Sequence, residues 1–135
     1  MIPAAFDYHV AQSVDEAVAL MKQYGDEAKF LAGGHSLLPT MKLRLAQPTH
    51  LIDLGRIPGL SYIREVGDTV TVGAMTTYAT LQHSDVIAQN FALLPEGIAE
   101  IGDQQVRNRG TIGGSVAHFD MPFTSERVWK AIHQK

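Results

Sequence analysis

Two pairs of adjacent glycines carry the residue types best suited to holding an anionic ligand. Glycine lets backbone N–H groups approach a ligand closely, because no Cβ intervenes and positive φ is allowed. Successive N–H groups in such turns form an anion-binding concavity, and neighbouring hydroxyl groups add donors. Two such loops brought together would hold a pyrophosphate from both sides. The pairs are Gly33-Gly34, followed by His35 and Ser36, and Gly113-Gly114, flanked by Thr111 and Ser115.

Each glycine pair also has a simpler interpretation, because most such pairs only form a turn. Neither belongs to a Walker loop or a GxGxxG fingerprint, so ATP hydrolysis at an ordinary P-loop is disfavoured. We interpret each pair as following or entering a strand. The residue types alone leave both the anion site and the plain turn open.

Other side chains show no recognisable catalytic or metal-binding pattern. The six histidines lack HExxH or similar spacing, so no metal site is predicted. His35 and His118 lie near the glycine pairs and are interpreted as hydrogen-bonding loop residues. Ser36 lacks the GxSxG context of hydrolases, and no catalytic residue is predicted. Arg107 and Arg109 fit either a solvated turn or a contact with a cofactor phosphate or a partner subunit.

The composition is that of a folded domain, or of two small lobes that share a core. The 135 residues are 45% hydrophobic and 19% charged, with a net charge of −3, and no basic stripe suggests a nucleic-acid site. The chain has no cysteine, which excludes disulfides and cysteine-ligated metal clusters within it and fits the cytoplasmic location that we expect. No apolar run approaches the roughly 20 residues of a membrane span. Residues 1–10 lack the order of a signal peptide.

The hydrophobic pattern predicts an α/β lobe followed by a second lobe of different type. In the first, strands at 6–10 and 28–31 enclose a helix that Ser13 caps and Gly25 ends, which is a βαβ unit with a parallel strand pair. A short helix at 37–45 and a strand at 50–54 follow. The expected boundary gives a lobe at residues 1–57 and another at 58–135.

The second lobe is predicted to be α+β and mainly antiparallel. Alternating residues on either side of Gly67-Asp68 predict a hairpin within 60–75. Thr76 or Thr77 caps a short helix through residue 82, and residues 91–101 have a helical period. An amphipathic helix is expected at 124–135. The whole is therefore assigned to the α+β class, with an α/β N-terminal lobe.

Five segments in this order resemble a known family: 32–39 (AGGHSLLP), 41–44 (MKLR), 50–54 (HLIDL), 72–76 (VGAMT) and 105–114 (QVRNRGTIGG). From residue 3 to about residue 120 the chain resembles the N-terminal half of the FAD-binding medium subunit of carbon monoxide dehydrogenase. More broadly, it is similar to the flavin domain of xanthine dehydrogenases and aldehyde oxidases. The resemblance implies a truncated FAD-binding fold of the PCMH type.

The resemblance also implies a function in electron transfer. In this family an FAD takes electrons that a molybdenum centre extracts and iron–sulfur clusters relay, and delivers them to an acceptor. The implied partners are an iron–sulfur small subunit and a molybdopterin large subunit. The flavin carries the redox chemistry, so no catalytic residue follows. The cofactor-binding residues that the family motifs imply are Ala32, Gly33, Gly34, His35, Ser36, Leu37, Ile101, Val106, Thr111, Gly113, Gly114, Ser115, Ala117, His118 and Asp120.

Near its end the chain departs from the pattern of the family, and other functions stay open. Asp120 fits the pattern, but the following proline is displaced by one position and Thr124 stands where an acidic residue is common. The tail from about residue 121 diverges. The isolated chain is not expected to catalyse substrate turnover alone, and its FAD affinity is expected to be weak or lost. The alternative is a cofactor-free remnant that acts as an interaction or homo-oligomerising module through exposed strand edges and an apolar patch. A third candidate is another flavoenzyme of this broad fold, such as an enolpyruvyl reductase, against which residues 106–114 argue.

Overall fold

A computed structural model describes residues 2–101 and 103–117 of the chain. Its contacts divide the chain into two compact units, Met1–Gly59 and Leu60–Lys135, which are described one after the other. The helix expected at 124–135 and the predicted site residues His118 and Asp120 lie outside the described residues.

The first unit is built on three parallel strands. They are β1 (Asp7–Val10), β2 (Ala28–Leu31) and β3 (His50–Asp53), in the order β1-β3-β2. Helix α1 (Val14–Tyr24) and a 3₁₀ turn (Gly25–Glu27) connect β1 to β2, and helix α2 (Leu37–Lys42) precedes β3. The predicted parallel arrangement is confirmed, but β1 and β2 do not pair with each other. Both pair with β3, which lies between them.

Local side-chain chemistry sets both ends of α1. The Ser13 hydroxyl accepts from the Glu16 N–H at 3.1 Å, and the Glu16 carboxylate accepts from the Gln12 N–H at 3.0 Å. These bonds satisfy N–H groups that have no partner inside the helix. Gly25 ends the helix with a φ of +58°, and its N–H donates to the Met21 carbonyl. The expected start and end of this helix are therefore confirmed.

The core of the first unit lies on both faces of the central strand. Successive strand residues point to opposite faces, so Leu51 and Ile52 of β3 are buried on different sides. Leu51 packs with Leu37 and Met41 of α2. On the other side, Tyr24 at the end of α1 stacks on His50 with ring centroids 3.8 Å apart. The parallel sheet is thus covered by a helix on each face, as such sheets require.

The second unit begins with a two-stranded antiparallel hairpin. Strands β4 (Ile63–Val66) and β5 (Thr69–Val72) are joined by Gly67 and Asp68, and Val66 faces Thr69 in the register. Gly67 has a φ of +59°, whereas Asp68 has no positive φ. Positive φ at only the first central residue is the pattern of a type II′ turn, whose twist suits a hairpin. The predicted hairpin is confirmed.

Five short helices follow the hairpin in the described part of the second unit. They are α3 (Tyr78–Gln82), α4 (Asp85–Asn90), α5 (Leu93–Ala99), α6 (Gln104–Arg109) and α7 (Ile112–Ala117). Thr77, rather than Thr76, caps the first of them. The core of this unit consists of Tyr78, Leu81, Ile87, Leu94, Ile98 and Ile112, with Ile101 packed at its margin. The predicted apolar face of 91–101 is confirmed, although its helix begins two residues later.

Candidate functional site

The first glycine pair follows directly after β2, at the carboxyl edge of the parallel sheet. Val10, Leu31 and Asp53 lie level at this edge, because both outer strands pair in register with β3. The Leu54 N–H donates to the Leu31 carbonyl at 3.0 Å and so ties the two strand ends together. In open α/β sheets, ligands bind outside the carboxyl ends of the strands. Residues 32–36 therefore lie where this type of sheet places a ligand.

The loop formed by residues 32–36, called the first loop below, holds unused hydrogen-bond donors. Gly34 has a φ of +81°, and a Cβ there would lie 3.0 Å from the Leu38 side chain, so both conformation and space favour glycine. The Ser36 hydroxyl makes no capping bond to α2. Within the described chain, no hydrogen bond is donated by the backbone N–H groups of Gly33, Gly34, His35 and Ser36. Clustered free N–H groups are what phosphate oxygens need.

The residues around the first loop differ in exposure. His35 is exposed, and Ala32 and Ser36 are half-buried. Leu37 is buried among Met41 and Leu51, so its side chain belongs to the core. A contact between Leu37 and a ligand would have to come from its backbone.

A tyrosine and an aspartate that interact near the same edge were not singled out from the sequence. The Tyr8 hydroxyl donates to one oxygen of the Asp53 carboxylate, and the other oxygen accepts from the Gly55 N–H at 2.7 Å. The hydrogen bond to Asp53 is the main cause that raises the pKa of Tyr8. Both carboxylate oxygens are occupied, so Asp53 organises the end of β3. The alternation of side chains along a strand indicates that Tyr8 and Asp53 share a face of the sheet, but only once the pairing of β1 with β3 is known.

The second glycine pair does not form a loop beside a strand, and that prediction is wrong. Gly113 and Gly114 lie inside α7. The Thr111 hydroxyl accepts from the Gly114 N–H at 3.1 Å, which is the geometry of a helix cap. Thr111 itself forms only one isolated antiparallel bridge, with Thr77. A capping threonine followed by the glycines thus starts a helix where a loop was expected.

The N–H groups of this second segment are used within the chain. The Ile112 N–H donates to the Thr76 carbonyl at 3.1 Å and the Gly113 N–H to the Ala74 carbonyl at 2.9 Å. A Cβ on Gly113 would lie 2.6 Å from the Ala74 oxygen, whereas one on Gly114 would lie 3.0 Å from the Thr111 hydroxyl, its one neighbour within 4 Å in the described part of the chain. Gly113 is therefore required by packing, whereas a side chain at Gly114 would require the Thr111 hydroxyl to shift slightly. Ser115 and Ala117 lie in the same helix.

The arginine segment before the second glycine pair is a helix and not a turn, although Arg109 has the solvated position that the turn alternative gave it. The Asp103 carboxylate accepts from the Val106 N–H at 3.0 Å and starts α6 there. Arg107 is half-buried and donates from Nη1 to the Ala99 carbonyl at 3.2 Å, while Arg109 is exposed. Val106 is half-buried. Ile101 packs at the margin of the core, and its N–H donates to the Ile98 carbonyl at 2.9 Å.

Two histidines that the sequence left without a role meet in the first unit. Nε2 of His9 and Nδ1 of His50 are 3.1 Å apart, and Tyr24 stacks on both rings. Across residues 2–101 and 103–117, no group of three or more histidine, aspartate or glutamate side chains is arranged to hold a metal ion. None of the helices in these ranges is long and apolar enough to cross a membrane.

Comparison with protein families and curated proteins identifies relatives over most of the chain. A family model described as the FAD binding domain in molybdopterin dehydrogenase matches residues 4–127. The carbon monoxide dehydrogenase medium chain of Hydrogenophaga pseudoflava is 59% identical over 118 residues, which are 87% of this chain and 41% of that protein. Subunit alpha of the 6-hydroxypseudooxynicotine dehydrogenase complex of Paenarthrobacter nicotinovorans is 48% identical over 89% of this chain and 40% of its own length.

Solved structures give the same relationship. A structure of carbon monoxide dehydrogenase from Hydrogenophaga pseudoflava that lacks the Mo-pyranopterin moiety of its cofactor matches with a TM-score of 0.85. The matched region is 59% identical and covers 87% of this chain and 41% of that one. The expected fold and family resemblance are thereby confirmed. The chain spans about two-fifths of the length of these relatives.

Proposed function

The chain belongs to the family of FAD-binding domains of molybdopterin dehydrogenases, and from this premise we propose that it is the FAD-binding part of the flavin subunit of a molybdenum hydroxylase. In this function, electrons pass from iron–sulfur clusters through FAD to an acceptor. The observation that carries the proposal is the first loop. Its N–H groups, which donate no hydrogen bond within the described residues, lie at the carboxyl edge of a parallel sheet, where sheets of this type bind ligands.

The residues of the first loop fit the diphosphate of FAD. Phosphate oxygens need several donors within a small space, and the N–H groups of Gly33 to Ser36 have no acceptor in the described part of the chain. The positive φ of Gly34 turns the chain there without the strain that a side chain would bring. The Ser36 hydroxyl and the His35 ring are further donors beside the same loop. These residues bind and orient the cofactor.

The second segment contributes differently. The Gly113 N–H is already paired with the Ala74 carbonyl and the Gly114 N–H with the Thr111 hydroxyl. Thr111, Gly114 and Ser115 remain the predicted contacts there. Ile101 and Val106 are predicted to contact the flavin or the adenine. Ala117, His118 and Asp120 complete the predicted set.

Bound FAD would supply the electron-carrying chemistry of this domain. The protein supplies position and electrostatics, and none of the residues proposed here transfers a proton. The relatives include medium chains and a subunit of a dehydrogenase complex. We therefore propose an iron–sulfur subunit and a molybdopterin subunit as partners. A cytoplasmic location belongs to the same proposal, supported by the absence of cysteine.

A second candidate is a cofactor-free interaction module that associates with itself. Large apolar side chains near the end of α2 favour it, because Leu43 is 52% exposed and Leu45 is 77% exposed. Exposed aliphatic residues of this size are common at protein interfaces. The two outer strands of the three-stranded sheet also have unpaired edges in the described unit.

A titration with FAD separates the two candidates. The purified chain is titrated while flavin fluorescence is followed, and circular dichroism and light scattering report folding and mass. Weak but saturable binding by a folded monomer is the expected result, with ADP competing because it carries the same diphosphate. A folded chain that binds no FAD and forms oligomers would instead support the interaction module.

A further inference from the structure

Arg107 connects two helices of the second unit through its side chain. It lies in α6, and its Nη1 donates to the carbonyl of Ala99, the last residue of α5, at 3.2 Å. The last carbonyl groups of a helix have no partner inside the helix and carry partial negative charge. A guanidinium group is therefore well suited to this position.

The segment that this bond spans includes Ile101. The Ile101 N–H donates to the Ile98 carbonyl at 2.9 Å, which continues the end of α5. At the start of α6, the Arg107 N–H donates to the Asp103 carbonyl at 3.1 Å. Arg107 is thus fixed to α6 by its backbone and to α5 by its side chain. The side-chain bond therefore joins the end of α5 to α6, and Ile101 lies in the segment between them.

Arg107 also carries a cost that a purely stabilising residue would avoid. Its Nε is buried and has no acceptor among residues 2–101 and 103–117. A buried donor without a partner lowers stability, and such groups in folded proteins call for an explanation. Arg109 lies in the same helix but is exposed, and its side chain makes no hydrogen bond within the described residues. The two arginines therefore have equal charge and different contacts.

We propose that Arg107 is a positioning residue that holds Ile101 in place for cofactor binding. The proposal rests on the proposed function, in which Ile101 contacts FAD. Arg107 acts through the backbone of Ala99, not through the charge of its guanidinium on a phosphate. Arg109 is the matched control, because its substitution removes the same charge from the same helix.

The test compares Arg107→Gln, Arg107→Lys and Arg109→Gln in the full chain. Amide hydrogen exchange without FAD reports local order, and an FAD titration reports affinity. Arg107→Gln is expected to speed exchange at residues 100 and 101 and to weaken FAD binding about tenfold, the effect of losing one charged hydrogen bond. Arg107→Lys is expected to fall between wild type and Arg107→Gln, because lysine retains a donor but not the planar fork. Arg109→Gln is expected to match wild type in both measurements.

Several results would overturn this assignment. Equal FAD weakening by Arg107→Gln and Arg109→Gln would show that charge, not the bond to Ala99, is responsible. If both Arg107 variants leave amide exchange at residues 100 and 101 unchanged, Arg107 does not hold Ile101 in place. If Arg107→Gln does not fold, the exchange rates of Arg107→Lys decide the same question. A wild-type chain that binds no FAD would refute the proposed function, and the exchange rates would still decide whether Arg107 orders Ile101.

Discussion

Gly113 and Gly114 are adjacent in the sequence but differ in what surrounds them. A Cβ on Gly113 would lie 2.6 Å from a backbone oxygen, whereas the neighbour that one on Gly114 would meet among the described residues is a side-chain hydroxyl, at 3.0 Å. We expect Gly113→Ala to lower the free energy of unfolding by about 1–3 kcal/mol, the usual cost of overpacking. Gly114→Ala should change it by less than about 0.5 kcal/mol. Urea unfolding followed by circular dichroism measures both, and equal losses would contradict the packing difference.

The hydrogen bond from Tyr8 to Asp53 gives a pH-dependent contribution to stability. The bond raises the pKa of Tyr8, so the folded protein holds the phenolic proton more tightly than the unfolded chain does. The contribution is therefore present below the unfolded pKa of about 10 and is lost as the pH rises through the raised folded value.

An ultraviolet titration of tyrosinate absorbance tests this hydrogen bond. The difference between wild type and Tyr8→Phe isolates the Tyr8 transition among the four tyrosines. In an Asp53→Asn background, the same difference should move to lower pH, because the neutral amide no longer favours the protonated phenol. Identical transitions in the two backgrounds would mean that Asp53 does not raise the pKa of Tyr8.

At the scale of elements, one threonine hydroxyl connects the hairpin of the second unit to the chain that enters α3. Thr76 is fully buried, and its hydroxyl accepts from the Tyr62 N–H and donates to the Tyr62 carbonyl, both at 3.1 Å. Thr76→Val removes both bonds at nearly constant volume and is expected to cost about 1–3 kcal/mol of unfolding free energy. Thr71→Val is the control, because Thr71 is exposed on β5. Thermal unfolding of the two variants should show a clear loss only for Thr76→Val.

Elements that depend on local signals could be predicted from the sequence. The hydroxyl of Ser13 and the positive φ of Gly25 set the ends of α1, and Gly67 sets the hairpin turn. Each acts through neighbouring residues, so the sequence pattern is sufficient. The position of β3 between β1 and β2 depends on pairing between distant segments. A local pattern contains no information about that order.

The second glycine pair shows why part of the candidate site could not be predicted. Its residue types match those of a phosphate-binding loop. However, the distant Ala74 carbonyl accepts from the Gly113 N–H, and the Thr111 hydroxyl accepts from the Gly114 N–H. The first loop meets no such acceptors in the described residues. The glycines alone therefore predicted a phosphate-binding loop at both segments. The hydrogen bonds of the structure are needed to tell N–H groups that are available to a ligand from those already paired.

At the scale of the whole molecule, binding FAD and completing a redox reaction are separate capabilities. The chain has no cysteine to hold an iron–sulfur cluster, and the described residues contain no metal-binding group. We expect the purified chain to bind FAD without oxidising a substrate when an artificial electron acceptor is supplied. Dye reduction measured with and without FAD tests this expectation, and FAD-dependent turnover by the chain alone would contradict it.

The central claim is that the first loop binds the diphosphate of FAD through its free N–H groups. The most direct measurement is a ¹⁵N–¹H NMR titration of the labelled chain with FAD, with ADP in parallel. The backbone amide signals of Gly33, Gly34, His35 and Ser36 are expected to shift most and with the same saturation for both ligands. Saturable FAD binding that leaves these four signals unmoved would contradict the claim.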